Sequence, residues 1–334
     1  MNKLSLLLIV GLMAAACNGH DSNGKEGEST VLKKPPYAAI TDSIHQSGNI
    51  DKAGLYYRRA ELLSRNNLHE LAAADFLKAW QLHPDEPTGL RYAATLNIIG
   101  QPQKAIRLLQ ECRIKFPGNA NFSNMLGDLY QQAGLTKQAL QLYNDMLLAD
   151  SLDFEAWYEK GLLLERAQDT ASALEALRKA YALQPVRTYA LELAHLYAEN
   201  RNSAAIELCD AILRKDSTHE LIDPLFIKGI YYSNTGQYKQ AIAQFDSCIR
   251  RDWKFTDAHL EKGIVLFHEK KYTEAGEAFQ MTVKVSNTFP DGYFWLGRCF
   301  EATGHKDDAI LYYQQALALD KDFTEAREGI KRLK

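Results

Sequence analysis

The segment "GIYYSNTGQYKQAIAQF" at residues 229–245 recurs in outline along the chain. "GDLYQQAGLTKQALQLY" (127–143), "GLLLERAQDTASALEAL" (161–177), "GIVLFHEKKYTEAGEAF" (263–279) and "GRCFEATGHKDDAILYY" (297–313) share three fixed points with it. These are a glycine, an alanine twelve residues on, and an aromatic residue or leucine four beyond that. The glycines at 127, 161, 229, 263 and 297 are 34, 68, 34 and 34 residues apart. Alanines at 72, 105, 139, 173, 205, 241, 275 and 309 recur at intervals of 32 to 36. Small residues at fixed spacing let two helices approach closely, because protein interiors are close-packed. Leu126, Tyr130 and Tyr143, or Leu296, Phe300 and Tyr313, recur at helical spacing and are expected to fill the seam. Gly100, Gly134, Gly236 and Gly304 fall where a first helix should end with positive φ, and Pro84, Pro117 and Pro185 where a second should stop. The motif is therefore a packing unit with no paired carboxylates, metal-ligand spacing or Ser/His arrangement.

A helix–turn–helix period of 34 residues resembles the tetratricopeptide repeat. The resemblance covers residues 53–323 in units starting at 53, 86, 120, 154, 187, 222, 256 and 290. It implies an all-α fold, a right-handed α-solenoid of about eight helix-turn-helix repeats. Residues 37–52 are expected to hold an N-terminal cap helix ("AAITDSIHQ", 38–46), and 324–334 a C-terminal capping helix presenting Ala326, Ile330 and Leu333. Around 198–224 the turn lacks glycine and is shortened, predicting a local irregularity between the fifth and sixth units.

The opening residues are a different kind of text. "MNKLSLLLIVGLMAAAC" has one Lys, an apolar run from Leu4 to Met13, and three alanines before Cys17. The run is short for a bilayer span and small residues follow it, so residues 1–16 read as a signal peptide. A cysteine directly after the small residues resembles the lipobox of bacterial lipoproteins, which implies lipidation of Cys17. Ala14 stands where that family usually has Leu. Residues 17–36, polar and rich in Gly and Ser, read as a flexible tether. Asn18 differs from the Asp that enterobacteria use for inner-membrane retention, so the expected location is the cell envelope, at the outer rather than the inner membrane.

Bulk composition excludes several function classes. With 46% apolar and 24% charged residues the chain is expected to be ordered. A net charge of −3 argues against nucleic acid as a partner. Cys112, Cys209, Cys248 and Cys299 form no CxxC and fall on helix seams, where thiols act as small hydrophobes. His69-Glu70, His219-Glu220 and His268-Glu269 lack a second His four residues on, so no zinc-peptidase helix is predicted. Eight units, two caps and a tether leave no room for a catalytic domain. The expectation is a protein that is not an enzyme, with no cofactor and no metal site.

Function must then lie on the repeat surface. In tetratricopeptide proteins the first helices line a concave groove that holds a partner segment. The resemblance carries the groove positions onto Tyr57, Arg58, Arg65, Arg91 and Asn97, then onto polar Asn124, Asp128, Gln131 and Gln132. Acids and aromatics follow: Tyr158, Glu159, Glu192, His195, Phe226, Glu261, Phe267, Phe294 and Arg298. The family's carboxylate clamp is not reproduced, since the fifth and ninth positions of the first unit are Tyr57 and Glu61. Aromatics among acids suit an apolar or aromatic partner segment carrying Lys or Arg. The expected role is a membrane-anchored adaptor or scaffold. Alternatives are a structural subunit of an envelope assembly or secretion complex using the convex face or ends, and a cryptic enzyme or glycan-binding protein.

Overall fold

The computed structural model describes residues 30–46 and 51–334. The signal peptide, Cys17 and the tether as far as residue 29 lie outside these. Among the described residues there is no strand, and no helix is long and apolar enough to cross a membrane. The helices are α1 (Ala38–Gln46), α2 (Lys52–Arg65), α3 (His69–Leu82), α4 (Glu86–Ile98), α5 (Pro102–Lys115), α6 (Ala120–Gln132), α7 (Thr136–Ala149), α8 (Phe154–Arg166) and α9 (Thr170–Leu183). There follow α10 (Arg187–Glu199), α11 (Ala204–Leu213), α12 (Asp223–Asn234), α13 (Tyr238–Arg251), α14 (Thr256–His268), α15 (Tyr272–Val285), α16 (Pro290–Ala302), α17 (Lys306–Leu319) and α18 (Thr324–Leu333). From α2 to α17 they pair as eight helix hairpins in the register expected from the alanines. The fold is an α-solenoid of helix-turn-helix repeats. The described residues divide into two compact units, one ending at Leu142 and the other Tyr143–Lys334.

The three fixed points of the motif converge in space. All eight alanines, from Ala72 to Ala309, are fully buried. Gly161, Gly229, Gly263 and Gly297 each receive the large side chain sixteen residues later. A Cβ on Gly161 would lie 2.7 Å from Leu177 Cγ, on Gly263 2.7 Å from Phe279 Cδ1, and on Gly297 2.7 Å from Tyr313 Cδ1. Leu177, Phe245, Phe279 and Tyr313 are themselves fully buried. The glycine thus leaves the space that the ring of its own hairpin fills.

Every turn between first and second helix is built alike, including the four that lack glycine. One residue adopts the left-handed conformation in each: Asn67, Gly100, Gly134, Gln168, Arg201, Gly236, Lys270 and Gly304. The next N–H then donates back into the first helix, as in Gln101 N to Leu96 O (2.8 Å), Asp169 N to Leu164 O (2.9 Å) and Lys271 N to Leu266 O (3.0 Å). This closure satisfies carbonyls that the helix end would leave unpaired. The prolines do as expected: α3, α5 and α9 end two residues before Pro84, Pro117 and Pro185.

The fifth hairpin departs from the others as its sequence predicts. Arg201 keeps the left-handed turn, and Asn202 N still reaches Tyr197 O at 2.8 Å. The deleted residue lies after it, so Ala205 follows Arg201 by four positions rather than five. Helix α11 has 10 residues against 14 in α9 and α13. The loop that replaces its last turn is tied by the buried Asp216, which accepts from Leu221 N (3.0 Å) and Thr218 Oγ1 (2.8 Å). These donors, Leu221 N–H first, hold the Asp216 carboxyl below the usual carboxylate range. Arg251 also donates to Leu221 O. Ion pairs link successive hairpins on either side of this loop: Lys228 Nζ to Asp210 at 2.6 Å and Lys262 Nζ to Asp246 at 2.7 Å.

Both ends are sealed. At the amino end Arg59 and Asp75 are buried in a bidentate pair (Nε–Oδ2 2.6 Å, Nη2–Oδ1 2.7 Å) that joins α2 to α3. Arg59 Nη1 also donates to Thr41 Oγ1 of α1 at 2.9 Å, and that hydroxyl lies 2.9 Å from Leu32 O. Residues 30–36 of the expected tether are therefore part of the described structure, with 30–32 helical, and Tyr37 is buried. At the carboxyl end Ala326 is fully buried, and Ile330 and Leu333 pack on the cluster around Phe294, Tyr313 and Ala316. Arg332 clamps Glu301 through two hydrogen bonds of 2.7 and 2.8 Å.

Three stability changes are expected in urea unfolding followed by circular dichroism. Gly263→Ala drives a methyl into Phe279 and should destabilise by about 1–3 kcal/mol. Seven residues on, Lys270→Gly relieves a left-handed lysine and should stabilise by about 0.5–1 kcal/mol. Asp75→Ala strands a buried guanidinium and should cost about 3–5 kcal/mol, whereas Arg59→Met with Asp75→Leu should be close to neutral.

Candidate functional site

The first-helix face of the amino-terminal unit is less basic than its sequence suggests. Arg58 is exposed, but the exposed Arg91 pairs with Glu61 at 3.2 Å, and Arg65 lies 3.9 Å from the same carboxylate. Tyr57 is half-buried, its ring edge-on to Phe76 at 5.7 Å. Asn97 Nδ2 reaches Gln132 Oε1 at 3.4 Å, and Asn124 is half-buried on α6. Much of this face interacts with itself.

The carboxy-terminal unit carries two distinct clusters. In the first, Tyr158 of α8 stacks on Tyr189 of α10, with ring centroids 4.3 Å apart. Burial and the neighbouring Glu192 and Glu159 push the Tyr158 hydroxyl up to about 12, so it remains a donor at any physiological pH. Beside them Glu165, His195 and Glu199 place their ligand atoms within 4.8 Å of one another. Burial raises the Glu165 carboxyl above its ordinary value; His195 opposes this, and Glu192 and Glu199 add to it. In the second cluster Arg298 lies over three rings: Phe267 (5.3 Å), Trp295 (5.6 Å) and Phe294 (5.9 Å). Cation–π attraction holds the guanidinium in this corner.

Two aromatic residues expected at the partner surface serve the core instead. Phe294 is 8% exposed and enclosed by Trp295, Tyr313 and Phe323. The loop before the tail helix covers the position that faces outward by repeat count alone. Phe226 is half-buried between Phe245 and Phe255, at 5.7 and 5.2 Å. Its ring cements consecutive hairpins. Tyr158, Glu159, Glu192, His195, Glu261 and Arg298 keep partial exposure.

Sequence reading missed Glu165, Glu199, Tyr189 and Trp295. Glu165 and Glu199 occupy the twelfth and thirteenth positions of their units, the positions that contributed Phe267 and Gln132 elsewhere, so an even reading of every unit finds them. Trp295 is the sixth position of the last unit and was overshadowed by Phe294. Tyr189, a third-position residue, carried no signal. The four internal cysteines are buried and free, and burial pushes each thiol up to about 12, which makes them inert hydrophobes.

Helix hairpins of this register, with a small residue under each crossing, define an α-solenoid repeat protein. Family models described as Tetratricopeptide repeat match residues 124–188, 158–220, 228–287 and 290–323, more than half of the chain. The chain belongs to the tetratricopeptide repeat family. Such repeats typically mediate protein–protein interaction. Among curated relatives, Protein CTR9 homolog of Arabidopsis thaliana is 28% identical over 152 residues, 45% of this chain. That alignment spans only 12% of the relative's own length. A tetratricopeptide repeat protein from Parabacteroides merdae superposes with a TM-score of 0.63 at 17% identity, covering 73% of this chain and 97% of that one. PilW, a type IV pilus biogenesis factor, gives 0.54 at 18% identity, covering 63% and 97%. Both likenesses are of fold.

Glu261 yields a pH test. Burial, with Asp257 adding to it, raises its carboxyl to about 7. The folded state therefore binds more protons than the unfolded state between the model-peptide value and about 7, and stability falls as pH rises through that window. Glu261→Gln should raise stability by on the order of 1–3 kcal/mol at pH 8 and leave it nearly unchanged at pH 4, read by urea unfolding at both values.

Proposed function

We propose that this protein is a non-enzymatic adaptor of the bacterial cell envelope, held there by a lipid on Cys17. In this reading it binds a partner protein along the first helices of residues 154–302. The observation that carries the binding site is the stacked Tyr158–Tyr189 pair set among Glu159 and Glu192. Rigid aromatic area offers hydrophobic contact at low entropic cost, and the surrounding carboxylates favour a segment with Lys or Arg. Arg298 is a basic element of this face, and its guanidinium is already occupied by rings. The envelope location is supported by the residues "LMAAAC" at 12–17.

Two experiments test the halves of this reading separately. Fluorescence anisotropy with a Lys/Trp-rich peptide and an acidic control should give binding to the former alone. Tyr158→Ala with Glu192→Gln should weaken it at least about tenfold, the loss of one hot spot. Equal binding by the variant moves the partner surface elsewhere, to the ends or the opposite face. In the native cell, Cys17→Ser should shift the protein from the membrane to the soluble fraction; retention at the membrane would remove the lipid anchor.

A further inference from the structure

We infer that Glu165, His195 and Glu199 form a binding site for a divalent transition-metal ion of the zinc class. His195 and Glu199 lie one helical turn apart on α10, so their side chains share a face. Glu165 comes from the last turn of the neighbouring first helix, α8. The three donor atoms, one imidazole nitrogen and two carboxylate oxygens, lie within 4.8 Å of one another. One nitrogen with two oxygens is a donor set that zinc accepts, at bond lengths of about 2.0–2.2 Å. Donors around such an ion stand roughly 3.3 Å apart, so the set has to contract a little to hold one.

The charge around the cluster points the same way. Glu192 and Glu199 add negative charge around Glu165, which outweighs the relief given by the adjacent Arg166. His195 Nε2 stands 3.9 Å from Glu199 Oε1, beyond hydrogen-bond length, so its nitrogen is available. Elsewhere in this part of the chain interhelical carboxylates are matched by lysines at 2.6–2.7 Å, as in Asp210 with Lys228 and Asp246 with Lys262. Here a histidine stands between the two carboxylates. Two protein-rigid helices contribute the three ligands, which leaves the solvent side of the ion open.

The site adjoins the proposed partner surface and is tested without a partner. Full-chain protein, stripped with a chelator, is titrated with zinc alone by isothermal calorimetry, and with cobalt alone while visible absorption is recorded. Wild type should bind one ion per chain at this site, with cobalt giving the absorption of a nitrogen–oxygen environment. Glu165→Gln and His195→Asn should each weaken binding at least about tenfold and remove the cobalt spectrum. Circular dichroism establishes that both variants are folded. His305→Asn, at a distant turn, should leave binding unchanged. Unaltered zinc affinity in the Glu165 and His195 variants, or no binding by wild type, overturns the assignment.

Discussion

The structure depends on one steric match, a ring or leucine of the second helix seated where the first helix has only glycine, as at Gly161, Gly229, Gly263 and Gly297. At Gly161, Gly263 and Gly297 the receiving space has no room for a methyl group, and the incoming side chain is fully buried. Glycine within a helix costs about 1 kcal/mol relative to alanine. Burying most of an aromatic side chain returns about 2–3 kcal/mol, so the exchange favours the hairpin. It also fixes the crossing, since a ring that fits one socket does not fit its neighbour. The tail helix repeats the device, with Gly329 set against the opposite edge of Tyr313.

A stack of such hairpins is open at both ends, and the two ends are closed by different chemistry. The amino end uses a buried Arg59–Asp75 pair with Thr41 completing the guanidinium's hydrogen bonds. Desolvation offsets most of the attraction in such a pair, so it adds little net stability over an apolar match. It fixes where α1 sits. The carboxyl end uses apolar cover, Ala326 and Ile330 over the last cluster, with the Arg332–Glu301 clamp at the rim. Hydrogen bonds from Arg332 first, then from Tyr313, hold the Glu301 carboxyl below its usual range. That contribution is present above the ordinary glutamate range and fades as pH falls through the depressed value.

Against this uniform scaffold the unusual residues stand out. The Tyr158–Tyr189 pair and the acids around it are not required by the hairpin, since other units place different residues at the same positions. Glu165 sits half-buried with raised proton affinity, a local cost to the fold that a bound cation or a basic partner segment would relieve. Glu261 tells the same story at a second place. Sites that spend stability in this way are candidates for function.

The all-helical fold and the repeat family were determined by the sequence itself. They follow from steric needs within one hairpin, and those needs recur at a constant spacing that a period of 34 displays directly. Even the shortened fifth turn was visible, as a missing residue before Ala205. The tertiary structure alone decided which outward positions remain available. Phe294 was lost to the core because Phe323, twenty-nine residues on, folds over it. Glu165 met His195 across thirty residues, and Arg59 met Asp75, through contacts between helices whose side chains follow no period. Local packing repeats and is legible in the sequence; pairing between particular side chains of different helices does not repeat, and only the folded chain brings it about.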